Sequence, residues 1–240
     1  MPDRWLPEMA AGLWLEALAF AWFMACWIGY TRFAKRRSAT DVCLSSVMHM
    51  YRVQWARALM SRGNRMSDMS VIATFERNMA FFGSSSLIIV AGLLTMLGNL
   101  GDAIELLASL PFSIDQSLLQ WEGKLSLLVV MFVYAFFKFS WAMRQIGFAA
   151  ILIGAAPETQ TQQVSEQEQR DTAERIARVV SMAGHHFNFG IRTYYFALAV
   201  LAWLINPWIF MASAGLVVYV LYRREFASSV LRTLMTNAPP

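Results

Sequence analysis

Apolar residues in this chain form long runs that are separated by short polar segments. A bilayer core of ~30 Å requires about 20 helical residues at ~1.5 Å each. Runs of this length predict transmembrane helices at about 13–30, 81–100 and 125–154, and a longer apolar stretch covers 187–222. The pattern therefore predicts an all-α, polytopic membrane protein with one membrane domain over 1–240.

The stretch 187–222 is too long for one span, because a single helix over it would measure about 54 Å. Pro207 disfavours the helical conformation at Asn206 and indicates a break there. Trp203 and Trp208 flank this break, and Trp is enriched at membrane interfaces. We therefore predict spans at 187–205 and 207–222, which makes five in all. A single span over the whole stretch would make four.

Residues 41–61 show helical periodicity with arginines between the apolar positions. Arg52 and Arg57 are two of these arginines. The pattern is typical of a helix that lies in the membrane interface, with its guanidinium groups toward acidic lipid headgroups.

Capping patterns mark the starts of two further helices. Ser165 and Glu168 form a capping-box pattern that opens a cytoplasmic helix over about 165–184. Ser67 or Asp68 is expected to cap the helix that rises into the second span.

Small residues recur every four positions along the first predicted span. This seam consists of Ala17, Ala21, Ala25 and Gly29. Small side chains on one helix face allow another helix to approach closely. The seam therefore predicts a helix-packing surface and favours a homo-oligomer.

Composition agrees with a membrane protein. The 240 residues are 57% hydrophobic and 15% charged, which is too apolar for an ordinary soluble domain. The two cysteines, Cys26 and Cys43, lie in a predicted span and a basic loop and are expected to be reduced thiols.

Lysine and arginine are unevenly divided between the segments that connect the spans. Sixteen lie in 31–80, 155–192 and the C-terminal tail, against two in the N-terminal segment and 101–124. The positive-inside rule then predicts an inner (plasma) membrane protein with its N-terminus outside and its C-terminus cytoplasmic.

Charged residues in and beside the spans are the candidate site residues. Glu16 and Lys138 lie at different predicted depths, with Lys138 closer to the inner face. A polar path, an inner mouth, a headgroup site or a catalytic pocket is one interpretation, and a positive-inside anchor girdle is the other. The candidates are Lys138, Glu76, Arg77, Asn78, His185, His186, Asn188, Arg192, Arg223, Arg224 and Glu225.

Motifs of the common catalytic classes are not found in the sequence, which has no P-loop, GxGxxG, HExxH, GxSxG or CxxC. Adjacent histidines on a helix point about 100° apart, so His185 and His186 do not predict a metal site. No cofactor is expected. Nucleic-acid binding is not predicted either, since the basic residues follow membrane boundaries.

Four short motifs resemble those of a membrane-protein family. They are Tyr51-Arg52-x-x-Trp55, Phe81-Phe82-Gly83-Ser84-Ser85, Phe187-Asn188-x-Gly190-x-Arg192-x-Tyr194-Tyr195 and Leu221-Tyr222-Arg223-Arg224-Glu225-Phe226. On these motifs the chain resembles, from about Tyr30 to Ser228, the family catalogued as domain of unknown function 599. The resemblance implies a small multi-span protein and carries no activity over to any residue.

Two function classes follow from these observations. The first hypothesis is a homo-oligomeric channel or transporter-like subunit, which needs no enzyme motif and uses the seam. The alternative is a membrane enzyme or lipid-headgroup binder at the cytoplasmic interface, acting through His185, His186, Arg192 and Glu76, or a scaffold for another membrane complex. The lipid bilayer and acidic lipid headgroups are the expected partners.

Overall fold

The described part of the chain is helical. The computed structural model describes residues 5–37, 41–101, 104, 116–157 and 164–236, and no strand occurs in these ranges. The predicted all-α class is confirmed. The helices are α1 (Trp5–Arg37), α2 (Leu44–Met60), α3 (Met66–Gly98), α4 (Leu118–Ala155), α5 (Glu166–Trp203), α6 (Pro207–Phe226) and α7 (Ser229–Thr236).

Two of these helices, α3 and α4, are long and apolar enough to cross a membrane. α3 covers the predicted span 81–100 up to Gly98, and α4 contains the predicted span 125–154. The other three predicted spans fall in α1, α5 and α6 and stay predictions as membrane spans.

Local sequence explains where several helices begin. Ser165 Oγ accepts a hydrogen bond from the backbone N–H of Glu168 at 3.2 Å, as the capping pattern predicts. Pro207 is the first residue of α6, where its missing N–H leaves no helical bond unmade. Asn206 Oδ1 accepts from the N–H of Trp208 at 2.9 Å and completes this start.

The start of α3 differs from the prediction. The helix begins at Met66, and Asn64 Oδ1 accepts a hydrogen bond from the Met66 N–H at 2.9 Å. Asp68 instead accepts from the indole of Trp55 and the guanidinium of Arg62, at 2.8 and 2.5 Å. The expected cap at Ser67 or Asp68 was therefore wrong, because Asp68 bonds to side chains of the preceding segment.

The predicted cytoplasmic helix 165–184 and the span 187–205 are parts of one helix. α5 is continuous over 38 residues and contains Gly184 without a break. The next interruption comes at 204–206, before Pro207. The break that Asn206-Pro207 predicts is thus present.

The residues group into two compact units. The first unit comprises Met1–Asp41, Val90–Phe132 and Thr193–Arg223. Its core is aromatic: Phe23 is fully buried, with ring centroids 5.8 Å from Phe196 and 5.3 Å from Phe210. Trp203 stacks on Phe210 at 4.5 Å.

The second unit comprises Val42–Ile89, Val133–Arg192 and Arg224–Pro240. Small and aliphatic residues of α2, α3, α4 and α5 form its core, among them Leu59, Ile72, Ile146 and Ile176. The C-terminal helix α7 packs on α2, and the Tyr51 hydroxyl donates to the Leu234 carbonyl at 3.1 Å. The helices α2 and α5 thus both contribute to the core of the second unit.

Candidate functional site

A cavity of about 270 Å³ lies between α2 and α5 in the second unit. Each helix contributes residues spaced three or four apart, which places them on one helix face. The cavity is lined by cationic, imidazole and hydroxyl groups with one methionine. We call this the basic pocket; its residues are Ser45, His49, Arg52, Arg178, Ser181, Met182, His185 and His186.

Ser181 is the point where the two helices meet in the basic pocket. His49 Nδ1 lies 2.8 Å from Ser181 Oγ. Arg52 Nη1 donates to the same oxygen at 3.4 Å, a long hydrogen bond. One hydroxyl thus contacts both His49 and Arg52 of α2.

Gly184 makes room for the Arg52 guanidinium. A Cβ at Gly184 would lie only 3.1 Å from Arg52 Nη2. The guanidinium therefore rests against the backbone of α5. A Cβ at position 184 would require the Arg52 guanidinium to shift.

Arg52 is incompletely paired. Its Nε is buried and has no hydrogen-bond partner among the described residues, and no carboxylate of those residues pairs with it. Burial lowers the pKa of Arg52 below its ordinary value, although an arginine stays charged near neutral pH. The pocket thus holds a positive charge without a counterion.

His186 is a second incompletely paired group in the basic pocket. Its Nδ1 is buried without a hydrogen-bond partner in the described part of the chain. Burial, and then the positive charge of Lys138, lower the pKa of His186, so the imidazole is neutral at pH 7. Lys138 Nζ itself lies 5.1 Å from the ring centroid of Tyr134 and 5.6 Å from that of Phe189.

An ion pair lies elsewhere in the second unit. Arg192 Nη2 is 3.8 Å from Glu225 Oε2, and both side chains are largely buried. Glu225 Oε1 also accepts from the N–H of Ser45 at 3.3 Å, in the first turn of α2. A carboxylate at a helix N-terminus is stabilising, so Glu225 holds α2 in place while it balances Arg192.

The remaining predicted site residues are on the surface. Glu76, Arg77 and Asn78 are exposed on α3, and Arg77 donates to the Thr74 hydroxyl of the same helix at 3.1 Å. His185, Asn188, Arg223 and Arg224 are also exposed. His185 lines the basic pocket and its ring meets that of Phe189 edge-on at 4.9 Å. The candidate residues other than Lys138 are thus divided between the basic pocket, the Arg192–Glu225 pair and exposed positions.

Six residues of the basic pocket were absent from the predicted set. They are Ser45, His49, Arg52, Arg178, Ser181 and Met182. The sequence does contain a signal for this face: polar residues are spaced three or four apart at positions 45, 49 and 52 on α2 and at 178, 181 and 185 on α5. Such steps indicate a shared face on each helix, and only the fold shows that the two faces meet.

The first unit contains a buried polar cluster that the sequence analysis also missed. Lys124 Nζ donates to Glu16 Oε1, Gln116 Oε1 and the Trp203 carbonyl at 2.8, 2.7 and 3.2 Å. The Trp203 indole donates to the other oxygen of Glu16. Lys124 is only 3% exposed, yet all three of its N–H donors are used. This cluster is complete without a ligand.

The basic pocket is chemically suited to an anion. Arginine provides planar donors for phosphate and carboxylate oxygens. In the described ranges no group of three His, Cys, Asp or Glu residues could hold a metal ion. The unpaired donors and the uncompensated charge point to an anionic ligand.

A family model described as "Protein of unknown function, DUF599" matches residues 18–230. The chain belongs to this family. The four motifs that carry the resemblance lie within the matched residues. One of them contains Arg52 of the basic pocket, another contains Arg192, and a third contains Glu225. No curated protein and no solved structure matches the chain.

Proposed function

We propose that this DUF599 protein is a multi-span membrane protein that binds an anionic lipid headgroup or another phosphate group in the basic pocket. The observation that carries the proposal is Arg52: a charged guanidinium against the backbone of Gly184, with a buried Nε and no carboxylate partner among the described residues. A buried charge is costly unless it is paired. An anion would supply the missing partner.

The size of the basic pocket supports a small ligand group. Its volume of about 270 Å³ is slightly below the range of roughly 300–1,000 Å³ for pockets that hold drug-sized molecules. A phosphate-bearing headgroup fits such a volume, and the acyl chains of a lipid would lie outside it.

Membrane placement is supported by two observations. α3 and α4 are long and apolar enough to span a bilayer. The lysine and arginine distribution favours an inner membrane with the N-terminus outside and the C-terminus cytoplasmic. In this topology the basic pocket lies at the cytoplasmic surface, where anionic lipid headgroups are abundant.

Titration of short-chain lipids onto the purified protein in detergent tests the proposal, with native mass spectrometry as the readout. We expect phosphatidylglycerol to bind and phosphatidylcholine to bind more weakly. Because a hydrogen bond to a charged group contributes about 1.5–3 kcal/mol, Arg52→Gln should weaken phosphatidylglycerol binding roughly 10- to 100-fold.

Arg57→Gln is the matched control, since Arg57 is an exposed arginine on the same helix and does not line the basic pocket. It should leave binding unchanged. Equal binding of the two lipids by the native protein, or full binding by Arg52→Gln, would reject the proposal.

A homo-oligomeric channel or transporter-like subunit is the second candidate. Ala17, Ala21, Ala25 and Gly29 are all exposed on α1, and a Cβ at Gly29 would meet nothing within 4 Å. The seam is therefore not used by the described part of the same chain.

Cysteine cross-linking in membranes tests the oligomer. In a Cys26→Ser background, Ala21→Cys should form a disulfide-linked dimer, and Phe23→Cys should not, because Phe23 is fully buried within the first unit. Absence of the Ala21→Cys dimer, with a monomer in native mass spectrometry, would reject this candidate.

A further inference from the structure

We infer that the ligand of the basic pocket is a phosphomonoester, that is, a terminal phosphate with two negative charges. This inference rests on the proposed function, because it specifies the ligand of the same site. The class includes phosphatidic acid among lipids and glycerol 3-phosphate among soluble molecules.

Charge balance is the first support for a dianion. Arg178 in the basic pocket lies 2.5 Å from Glu174, and the nearby Arg192 is paired with Glu225. Arg52 and Lys138 have no such carboxylate in the described part of the chain. Two positive charges are thus left without a counterion, and a phosphomonoester carries two negative charges.

Lys138 lies close to the basic pocket without lining it. Its Nζ is 5.6 Å from the ring centroid of Phe189, and that ring meets the ring of His185, a pocket residue, at 4.9 Å. The positive charge of Lys138 also lowers the pKa of His186. Its ammonium rests on the rings of Tyr134 and Phe189, so a cation–π contact holds it there without neutralising it. An anion beside His186 would therefore be attracted by Lys138 as well as by Arg52.

The number of available donors is the second support. Arg52 offers its guanidinium, which makes one long hydrogen bond to Ser181 Oγ. Ser181 offers its hydroxyl proton in the tautomer in which His49 Nδ1 is the donor of their shared hydrogen bond. His186 adds an unpartnered buried Nδ1, which donates in the tautomer that carries the proton there. These are three separate donor groups. A terminal phosphate presents three non-bridging oxygens, whereas a phosphodiester presents two.

Comparison of two acidic lipids tests the inference. Short-chain phosphatidic acid and phosphatidylglycerol are titrated onto the full chain in detergent at about pH 8, where a phosphomonoester with a second pKa of about 6 is dianionic. We expect phosphatidic acid to bind roughly tenfold more tightly, which corresponds to about 1.4 kcal/mol.

Substitutions in α4 test the contribution of the Lys138 charge separately from that of the Arg52 charge. Lys138→Met should lower the affinity for phosphatidic acid more than that for phosphatidylglycerol, and Lys138→Arg should retain the preference. Arg144→Gln is the matched control. Arg144 is an exposed cation on the same helix, and its guanidinium also lies over an aromatic ring, that of Phe148. This substitution should change neither affinity.

The outcomes distinguish the inference from the proposed function. Equal affinities for the two acidic lipids, both lost in Arg52→Gln, would overturn the phosphomonoester and leave the proposed function standing. Binding of neither lipid above phosphatidylcholine would overturn both. A preference for phosphatidic acid that survives Lys138→Met would overturn the role of the second charge.

Competition by glycerol 3-phosphate identifies the source of the phosphate. Displacement of phosphatidic acid by this soluble phosphomonoester assigns the site to a free phosphate compound. Retention of phosphatidic acid in its presence assigns the site to the lipid. Both results keep a phosphomonoester as the ligand class.

Discussion

Lys124, which is buried, and Arg52, which is partly buried, differ in how completely they are paired. Lys124 uses each of its three N–H donors, on Glu16, Gln116 and the Trp203 carbonyl. Arg52 has one long hydrogen bond, to Ser181, and a buried Nε without a partner in the described chain. A completed cluster stabilises the fold, whereas an incomplete one leaves room for a ligand.

Lys124→Met should destabilise the protein by about 3 kcal/mol, because removal of one member of a buried ion pair leaves the other charge uncompensated. Chemical unfolding in detergent measures this loss. Lys124→Met combined with Glu16→Gln should recover part of it, since the amide oxygen still accepts from the Trp203 indole. A loss below about 1 kcal/mol, as for a surface pair, would contradict the structural role.

Gly190 allows close packing of α5 on α4 in the second unit. A Cβ at this position would lie 2.5 Å from Cε1 of Phe139, whose ring is fully buried. Gly190→Ala should therefore cost about 1–3 kcal/mol of stability through overpacking. Phe139→Leu in the same chain should relieve part of this loss.

Gly147→Ala is the control for Gly190→Ala, because the same substitution is made where no close packing occurs. Nothing lies within 4 Å of a Cβ at Gly147, which is exposed on α4. Since Ala favours a helix over Gly by about 1 kcal/mol, this change should be neutral or stabilising. Thermal denaturation of the two variants side by side gives the comparison, and a stable Gly190→Ala protein would refute the close contact.

At the scale of the helices, one arginine closes the end of α4. Arg65 donates through Nη1 to the carbonyls of Ile153 and Ala156, both at 2.7 Å, and through Nη2 to that of Pro157 at 2.9 Å. The last carbonyls of a helix have no partner within it. A cation there also interacts favourably with the helix dipole.

Arg65→Gln should loosen the last turn of α4, because a neutral amide cannot serve three carbonyls at once. We expect faster hydrogen exchange of the amides in 151–157 and a loss of about 1–3 kcal/mol in stability. Arg77→Gln, at an exposed arginine of α3, is the control and should leave exchange in 151–157 unchanged. Equal exchange in both variants would rule out the capping role.

Element positions were predictable where the signal is local. Ser165 caps α5 and Pro207 begins α6, because each residue acts on its own neighbours in sequence. The start of α3 was not predicted, since Asp68 bonds to Trp55 and Arg62 through the fold.

The sequence predicts only part of the basic pocket: it shows the polar face of each helix but not that the two faces meet. The polar faces of α2 and α5 can be read from their spacing, but which faces meet depends on the rotation of each helix. Ser181 is 132 residues from His49 in sequence. Contacts of this kind come from packing of apolar faces elsewhere on the same helices, which a pattern of charges does not reveal.

At the scale of the whole molecule, charge and hydropathy together define the expected topology. α3 and α4 are apolar enough to span a bilayer, and most lysines and arginines fall in segments predicted to be cytoplasmic. The N-terminus and the start of α4 should then face outside, and α7 should face the cytoplasm.

Single cysteines should report this topology in spheroplasts. A membrane-impermeant maleimide should label Glu122→Cys in intact spheroplasts and Ser229→Cys only after lysis; both positions are exposed. The parent protein is the blank, because Cys43 is buried and Cys26 is partly buried. Labelling of Ser229→Cys before lysis would show that the orientation is the opposite of the predicted one.

The pairing of Glu16 with Lys124 has a consequence for how the chain is made. The two residues are 108 positions apart, and ribosomes add about 5–20 residues per second. After Glu16 is synthesised, its carboxylate therefore waits roughly 5–22 s for the partner ammonium. The ion pair therefore cannot form while the first helix is being made, and Glu16 stays without its partner ammonium until α4 is synthesised.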